Sequence, residues 1–420
     1  MSSLDQPNHP KQPEQPNLDE PDRLPLVALL TANAISWHGT AITQIAVPWF
    51  VLHTTGSPAL TGVIATSSVV GSLVSFLLGA GLVDRLGYRR ASVLADALSA
   101  AAVALIPALH HAGQLTIPLL AALAFTRALL DGPGSTARAS LLPDLAVRAR
   151  TSLAHANTLG EVAESGAGWT GPLLAGVLIA AVGAQAVLWL DAASFLLSAV
   201  LLRAFVPPTA PTRTTDGRED AALLGGWRFL WQDGPLRVIF ASSVVFSALM
   251  AALFAVVLPV YARDAGGPVA LGGLVSAFGV GAVLGALAFG RFGTRWSRRR
   301  VFLVGNAGLC GIFAALAALP VLPVALAACF LGGLVAGPNG PMIPTLLQER
   351  TPAHLRARVI AASNVLTLSA APLGVLVGGV MLERAGFTSA LISMTALFAL
   401  GGAYAALAPG LRDADTEPTR

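Results

Sequence analysis

Seven ionisable side chains lie inside long apolar stretches of this chain: His38, Asp96, Arg127, Asp131, Glu161, Glu164 and Asp191. A charge in hydrocarbon costs ~2.5–3.5 kcal/mol on insertion scales, so each is a candidate for function. Arg127 and Asp131 are four residues apart and Glu161 and Glu164 three apart, so each pair shares one face of a helix. If the two segments pack antiparallel, counting from their shared end places Arg127 near Glu164 and Asp131 near Glu161. Three acids around one arginine leave negative charge unneutralised, the setting in which a carboxyl can take up and release a proton. A structural ion-pair network would use the same residues. His38, between Trp37 and Gly39, reads either as a packing histidine or as a second proton-handling group, because imidazole ionises near neutrality. Asp191 suits a hydrogen-bonding role or a share in proton handling, and Asp96 a brace for the basic turn before it. Around His38, the polar residues Asn33, Ser36, Trp37, Thr40, Thr43 and Gln44 spread over more than one helix face. Asn33, Trp37, Thr40 and Gln44 are the candidates for lining a substrate cavity. Apolar walls with few polar groups suit an amphiphilic organic solute better than a sugar or phosphate.

These residues must be positioned by membrane helices. The chain has 420 residues, 55% hydrophobic and 11% charged, with mean hydropathy +0.70; a soluble domain carries ~25% charge. Apolar runs of spanning length fall near 25–52, 58–83, 91–110, 115–136, 157–182 and 186–206. A second series lies near 237–262, 270–290, 299–319, 322–344, 359–383 and 388–409, with no charge away from its ends, only polar groups such as Asn306, Asn339 and Asn364. The expected fold is all-α and integral to the membrane, with twelve transmembrane helices in two pseudo-symmetric six-helix bundles, 25–206 and 237–410. Pro-rich residues 1–24 read as a disordered cytoplasmic tail, and 411–420 as a second tail. The linker 207–236 contains Trp227, Leu230 and Trp231 at helical spacing, which predicts a short helix in the membrane interface. Nineteen arginines fall in the loops on the side of the termini, against Arg263 and Arg384 on the other, so both termini are expected in the cytoplasm of a cell-membrane protein. Lys11 is the only lysine; the net charge of +4 therefore reflects loop arginines and does not call for nucleic acid. Cys310 and Cys329, inside apolar runs, read as small core residues.

The halves repeat. Arg85, Gly87 and Arg89 return 206 residues later as Arg291, Gly293 and Arg295, and Gly132-Pro133 returns 205 residues later as Gly337-Pro338. The stretch Asp84–Arg90, between two apolar runs, predicts a tight basic hairpin. Asp84 there can accept from the helix that follows or pair with an arginine of the facing bundle. It reads as a conformational latch, built from Asp84, Arg85, Gly87, Arg89 and Arg90 with Asp96 behind it, or as a headgroup anchor. In Gly166-Ala-Gly168-Trp-Thr-Gly171-Pro172-Leu-Leu-Ala-Gly176 the glycines remove side chains for close helix packing, and Pro172 removes a backbone donor.

With these motifs the chain resembles the major facilitator superfamily over about 25–410. Leu82, Asp84, Arg85, Gly87, Arg89 and Arg90 match its signature between helices two and three. Gly168, Gly171, Pro172 and Gly176 are similar to the Gly-Pro signature of its proton-coupled antiporter branch. Val47-Pro-Trp-Phe-Val51, Leu141-Leu-Pro-Asp-Leu145, Leu190-Asp-Ala-Ala-Ser-Phe-Leu196, Leu258-Pro-Val-Tyr-Ala-Arg263 and Leu346-Leu-Gln-Glu-Arg350 resemble the drug exporters that include macrolide and siderophore exporters. Many relatives place an acid just after the glycine matching Gly39, where this chain has Thr40. The resemblance implies a secondary transporter, monomeric and without cofactor or metal, that exports a hydrophobic or amphiphilic small molecule against protons. An uncoupled facilitator or importer of the same fold remains the alternative. The chain has no His-Glu-x-x-His, no Gly-x-Ser-x-Gly and no phosphate-binding Gly-Lys-Ser loop, which argues against an enzyme or an ATP-driven pump.

Overall fold

The computed structural model describes residues 22–208, 227–292, 297–319, 321–352 and 355–408, and every regular element among them is helical. The first half runs α1 (Leu24–Thr55), α2 (Pro58–Leu86), α3 (Tyr88–His111), α4 (Ile117–Arg148), α5 (Leu153–Val182) and α6 (Ala184–Phe205). The second half runs α7 (Gly234–Ala252), a π-helical turn (Leu253–Val257) and α8 (Leu258–Ala265), then α9 (Gly267–Phe292), α10 (Arg298–Ala317), α11 (Leu322–Ala336), α12 (Asn339–Arg350), α13 (Arg356–Ala385) and α14 (Phe387–Leu407). The continuous α7–π–α8 rod makes one span and α11–α12 another, giving two six-helix halves. The break in the latter falls at Gly337-Pro338, where proline supplies no backbone donor.

Local signals fix the ends. Ser57, Ser152 and Asp233 cap α2, α5 and α7, their side-chain oxygens accepting from Leu60 N, His155 N and Leu236 N at 3.1, 3.2 and 3.0 Å. Pro58 and Pro235 sit in the first turns, where a missing donor does no harm. The expected seven-residue hairpin after α2 is in fact one residue: Gly87, at φ 79°, separates α2 from α3, a conformation that costs glycine little. Asp84 and Arg85 thus lie in the last turn of α2, and Arg89 and Arg90 in the first turn of α3.

Two sequence boundaries change. α4 continues to Arg148, beyond the expected end near 136, so Arg138 is helical and buried and does not belong to a loop. In the linker, 227–232 is helical; Leu230 is buried against the second half and Trp231 is exposed, while Leu223 to Gly226 lie outside the described residues. The tails, 1–21 and 409–420, also lie outside them.

Ten helical stretches among the described residues are long and apolar enough to cross a membrane. α1 and α4, 32 residues each, are not among them. Those two carry Asn33, His38, Thr40, Thr43 and Gln44, and Arg127, Asp131 and Arg138, respectively. Both helices thus carry candidate-site residues.

The apolar core shows how the halves meet. Opposite the termini it is continuous across both halves, joining Phe50, Leu52, Ile179 and Leu188 to Leu253, Val256, Leu271 and Phe313. On the side of the termini each half keeps its own cluster, Leu26, Leu29, Leu141, Leu145 and Leu202 in the first and Leu236, Ile239, Phe302, Leu346 and Val359 in the second. The molecule is fused at one end and parted at the other.

Candidate functional site

The charged residues of the first half gather on α1, α4, α5 and α6, but not in the expected pairs. Arg127, half-buried on α4, donates from Nη2 to Thr40 Oγ1 on α1 at 2.9 Å, and its guanidinium lies 5.6 Å from the centre of the Phe195 ring on α6. Its Nε is buried without a hydrogen-bond partner. Asp191 on α6 lies within electrostatic reach of Arg127. Thr40 therefore meets the arginine with a neutral acceptor, and Asp191 supplies the opposite charge from α6. Asp191 is 2% exposed and accepts from the Thr43 and Ser194 hydroxyls. Gly39 makes this possible, since a Cβ there would run into the Asp191 and Ser194 side chains.

Asp131, one turn beyond Arg127, is half-buried and interacts electrostatically with both Asp191 and Glu164. Glu164 in turn interacts with Glu161, and both glutamates are exposed on the helix surface. No ion pair reaches Asp131, Glu161 or Glu164 among the described residues. Ser165 donates to Glu161 at 3.3 Å. The three acids thus form a string from α4 to α5. His38 is half-buried, with Nδ1 2.8 Å from Ala34 O and Nε2 3.1 Å from Thr170 Oγ1 on α5. Of the polar residues of α1, Asn33 is buried with Oδ1 unpartnered, Trp37 and Thr40 are half-buried, and Gln44 is exposed, so they do not share one wall.

Asp96 is committed to its own half behind the basic turn. It forms a buried ion pair with Arg138 at 2.8 Å and accepts from Ser198 Oγ at 2.6 Å, tying α3, α4 and α6 together. Sequence reasoning missed Arg138, although Arg127, Asp131 and Arg138 fall at i, i+4 and i+11, three turns down one stripe of α4. Of the basic turn itself, Arg89 donates to Val206 O at the end of α6 at 2.9 Å, a cation on a helix C-terminus within its own half. Arg299 does the same to Ala406 O at the end of α14, at 2.8 Å. Arg90 is exposed, and the side chains of Asp84 and Arg85 lie outside the described residues.

The halves join along two helix pairs. In the Gly-Pro motif, Gly176 abuts Pro268 of α9 and Gly272 of α9 abuts Pro172, so neither position has room for a Cβ. Trp169 O accepts from Ser276 Oγ across the same seam at 2.8 Å. Gly171 instead packs on Ala41 of α1, while Gly166 and Gly168 face open space, so only part of the expected glycine face makes contact. The second seam, α2 with α13, brings Gly62 against Gly379, and Thr66 Oγ1 donates to Pro372 O at 3.2 Å. At its end the Glu383 carboxylate of α13 accepts from the Ser57 hydroxyl and from Ala59 N, the latter at 2.9 Å, and so caps α2 from the other half. Both seams lie at the fused end.

Comparison with known proteins agrees with this architecture. The family model described as Major Facilitator Superfamily matches residues 29–367 and 240–420. The chain is 33% identical over 401 residues to a protein named multidrug efflux pump Tap from Mycolicibacterium fortuitum, covering 94% of this chain and 98% of the relative. It is 32% identical over 405 residues to the Mycobacterium tuberculosis protein of that name, covering 94% and 96%. Among solved structures, the nucleoside transporter NupG superposes with TM-score 0.72 at 13% identity, covering 93% of this chain and 98% of that one. A bacterial homologue of the iron transporter ferroportin, in its inward-facing state, gives 0.68 at 17% identity, covering 91% and 98%. At such identities these structures establish the fold alone. This chain, a multi-pass membrane transport protein and not an enzyme, belongs to the Major Facilitator Superfamily.

Proposed function

We propose that the chain is a secondary active transporter that exports hydrophobic or amphiphilic small molecules in exchange for protons, by alternating access of its two halves. It sits in the cell membrane as a monomer with both termini in the cytoplasm, so the parted end opens inward and both seams close the outer face. Its relatives' name, multidrug efflux pump, supports a drug-like cargo and export. The observation that carries proton coupling is that Asp131, Glu164 and Glu161, three neighbouring acids at membrane depth, have no ion-pair partner among the described residues.

In this scheme Glu164 or Glu161 takes up a proton when the outer seams part and gives it up when the inner end opens. Arg127, hydrogen-bonded to Thr40 on α1, moves with the first half and holds the opposing charge. The amphiphile occupies the apolar space between the halves and leaves as the proton enters, so one gradient drives the other. The test is dye accumulation in inverted vesicles holding the purified protein. An imposed pH gradient, acid inside, should load the dye without ATP, and collapsing the gradient with a protonophore should release it. Equal flux with and without the gradient would favour the uncoupled facilitator.

A further inference from the structure

The second half holds a cavity that no charged residue lines and that the proton scheme leaves unused. It measures about 400 Å³ and is bounded by α7, α9, α10 and the α11–α12 break. Phe246, Phe278 and Phe302 form its apolar walls, and Ser243, Asn306 and Asn339 are its polar groups. Two of the rings are held edge-on by further aromatics, Phe278 by Phe254 at 5.2 Å and Phe246 by Phe398 at 6.4 Å, so the walls are braced.

Asn339 begins α12 directly after Gly337-Pro338. It is 8% exposed, and its Oδ1 is buried with no hydrogen-bond partner. A buried acceptor left unmade is costly, and a ligand donor would satisfy it. The backbone donors of the same helix start are already used: Gly340 N donates to Gly337 O at 3.0 Å and Met342 N to Pro338 O at 3.2 Å. Asn306 Nδ2 is likewise committed to Phe302 O at 2.9 Å. The buried atom of this corner left without a partner is an acceptor, Asn339 Oδ1.

The internal repeat shows that the space has been opened. By the offset of 206 residues that relates Arg85 to Arg291, Asp96 corresponds to Phe302; by the offset of 205 that relates Gly132-Pro133 to Gly337-Pro338, Arg138 corresponds to Ile343. In the first half that place is closed by the Asp96–Arg138 pair. In the second, Phe302 and Ile343 line the cavity. Gly134, beside the Arg138 guanidinium, corresponds to Asn339, whose amide fits only because Gly305 across from it has no Cβ.

We infer that this cavity is a substrate subsite that takes an aromatic or alicyclic ring bearing an N–H or O–H donor, and that Asn339 Oδ1 accepts from that donor. The assignment rests on the export reading above and specifies which part of the cargo the second half holds. Three phenyl walls and a free acceptor favour neutral or cationic ring compounds over carboxylates.

The test compares proflavine, which carries exocyclic N–H donors, with acridine orange, its N-methylated counterpart, for fluorescence-detected binding to the full-length protein in detergent. Asn339→Leu should weaken proflavine binding by about tenfold, the loss of one buried hydrogen bond, and leave acridine orange within about threefold. Asn339→Asp keeps the shape and adds charge to the acceptor. It should tighten proflavine binding, and it carries the test if the leucine variant does not fold. Loss of both dyes in equal measure, no change in either, or no binding of proflavine to the wild type overturns the subsite. Dye binding of this pattern with no gradient-driven accumulation in vesicles would sink the export reading and leave the subsite standing.

Discussion

The Asp96–Arg138 pair is closed off from water on all sides, with side chains 3% and 4% exposed, and Ser198 satisfies the second carboxylate oxygen. Two buried charges that satisfy each other add little net stability, but removing one strands the other. Asp96→Leu is therefore expected to cost ~3–5 kcal/mol. The double change Asp96→Leu with Arg138→Met should restore stability to near wild type, as read by thermal unfolding in detergent. If the single variant melts with the wild type, the pair is not what ties α3, α4 and α6. At Asp191 the critical neighbour is Gly39. Gly39→Ala pushes a methyl into the carboxylate and the Ser194 hydroxyl, and so should disturb the Thr43 hydrogen bond without unfolding the bundle. Transport is expected to fall about tenfold, the equivalent of one lost hydrogen bond, at unchanged expression. Normal transport would show that the Asp191 network tolerates rearrangement. The sequence singled out Asp96 and Asp191 by their depth alone. It could not name their partners, because Arg138 and Thr43 are 42 and 148 residues away and meet them only through packing.

Among the elements, the two seams decide which end of the molecule is open. Each is a pair of helices pressed together at glycines and tied by a side-chain hydrogen bond to a backbone carbonyl across it. Of the seam glycines only Gly176 stood in the Gly-Pro motif, and which helix each faces depends on the fold as a whole. Glu383 drew no notice in the sequence, since a carboxylate at a helix end has an ordinary reason to be there. Its position across α2 makes it a clasp at the fused end: it holds the Ser57 hydroxyl and Ala59 N at a helix N-terminus belonging to the other half. Glu383→Gln should weaken that clasp and raise the population in which the fused end is open. Spin labels on α2 and α13 at the fused end would report it as a longer-distance component, and an unchanged distance distribution would refute the clasp. The basic turn shows the opposite error of scale. Its arginines were legible and its hairpin was expected, yet a single Gly87 makes the turn, because both helices run on through residues counted as loop.

At the scale of the whole molecule, the two halves share a fold and divide the chemistry. The charged side chains away from helix ends belong to the first half, and the second offers aromatic walls and amides. That division was plain in the sequence, as were the six-plus-six helices and the duplication, because spanning runs and repeats are local patterns that composition exposes. Which end is parted was not legible, since it follows from contacts between residues hundreds of positions apart, such as Ser57 with Glu383. Alternating access needs only that the parted and fused ends exchange roles, and proton coupling needs the acid string to change its protons as they do so. The most direct measurement is therefore proton release on substrate binding, followed in weakly buffered detergent solution with a compound that the vesicle assay has shown to be exported. Wild-type protein should release protons as the compound binds, and the double variant Glu161→Gln/Glu164→Gln should bind it with similar affinity and release none. Equal release from both proteins would contradict proton coupling through these two acids.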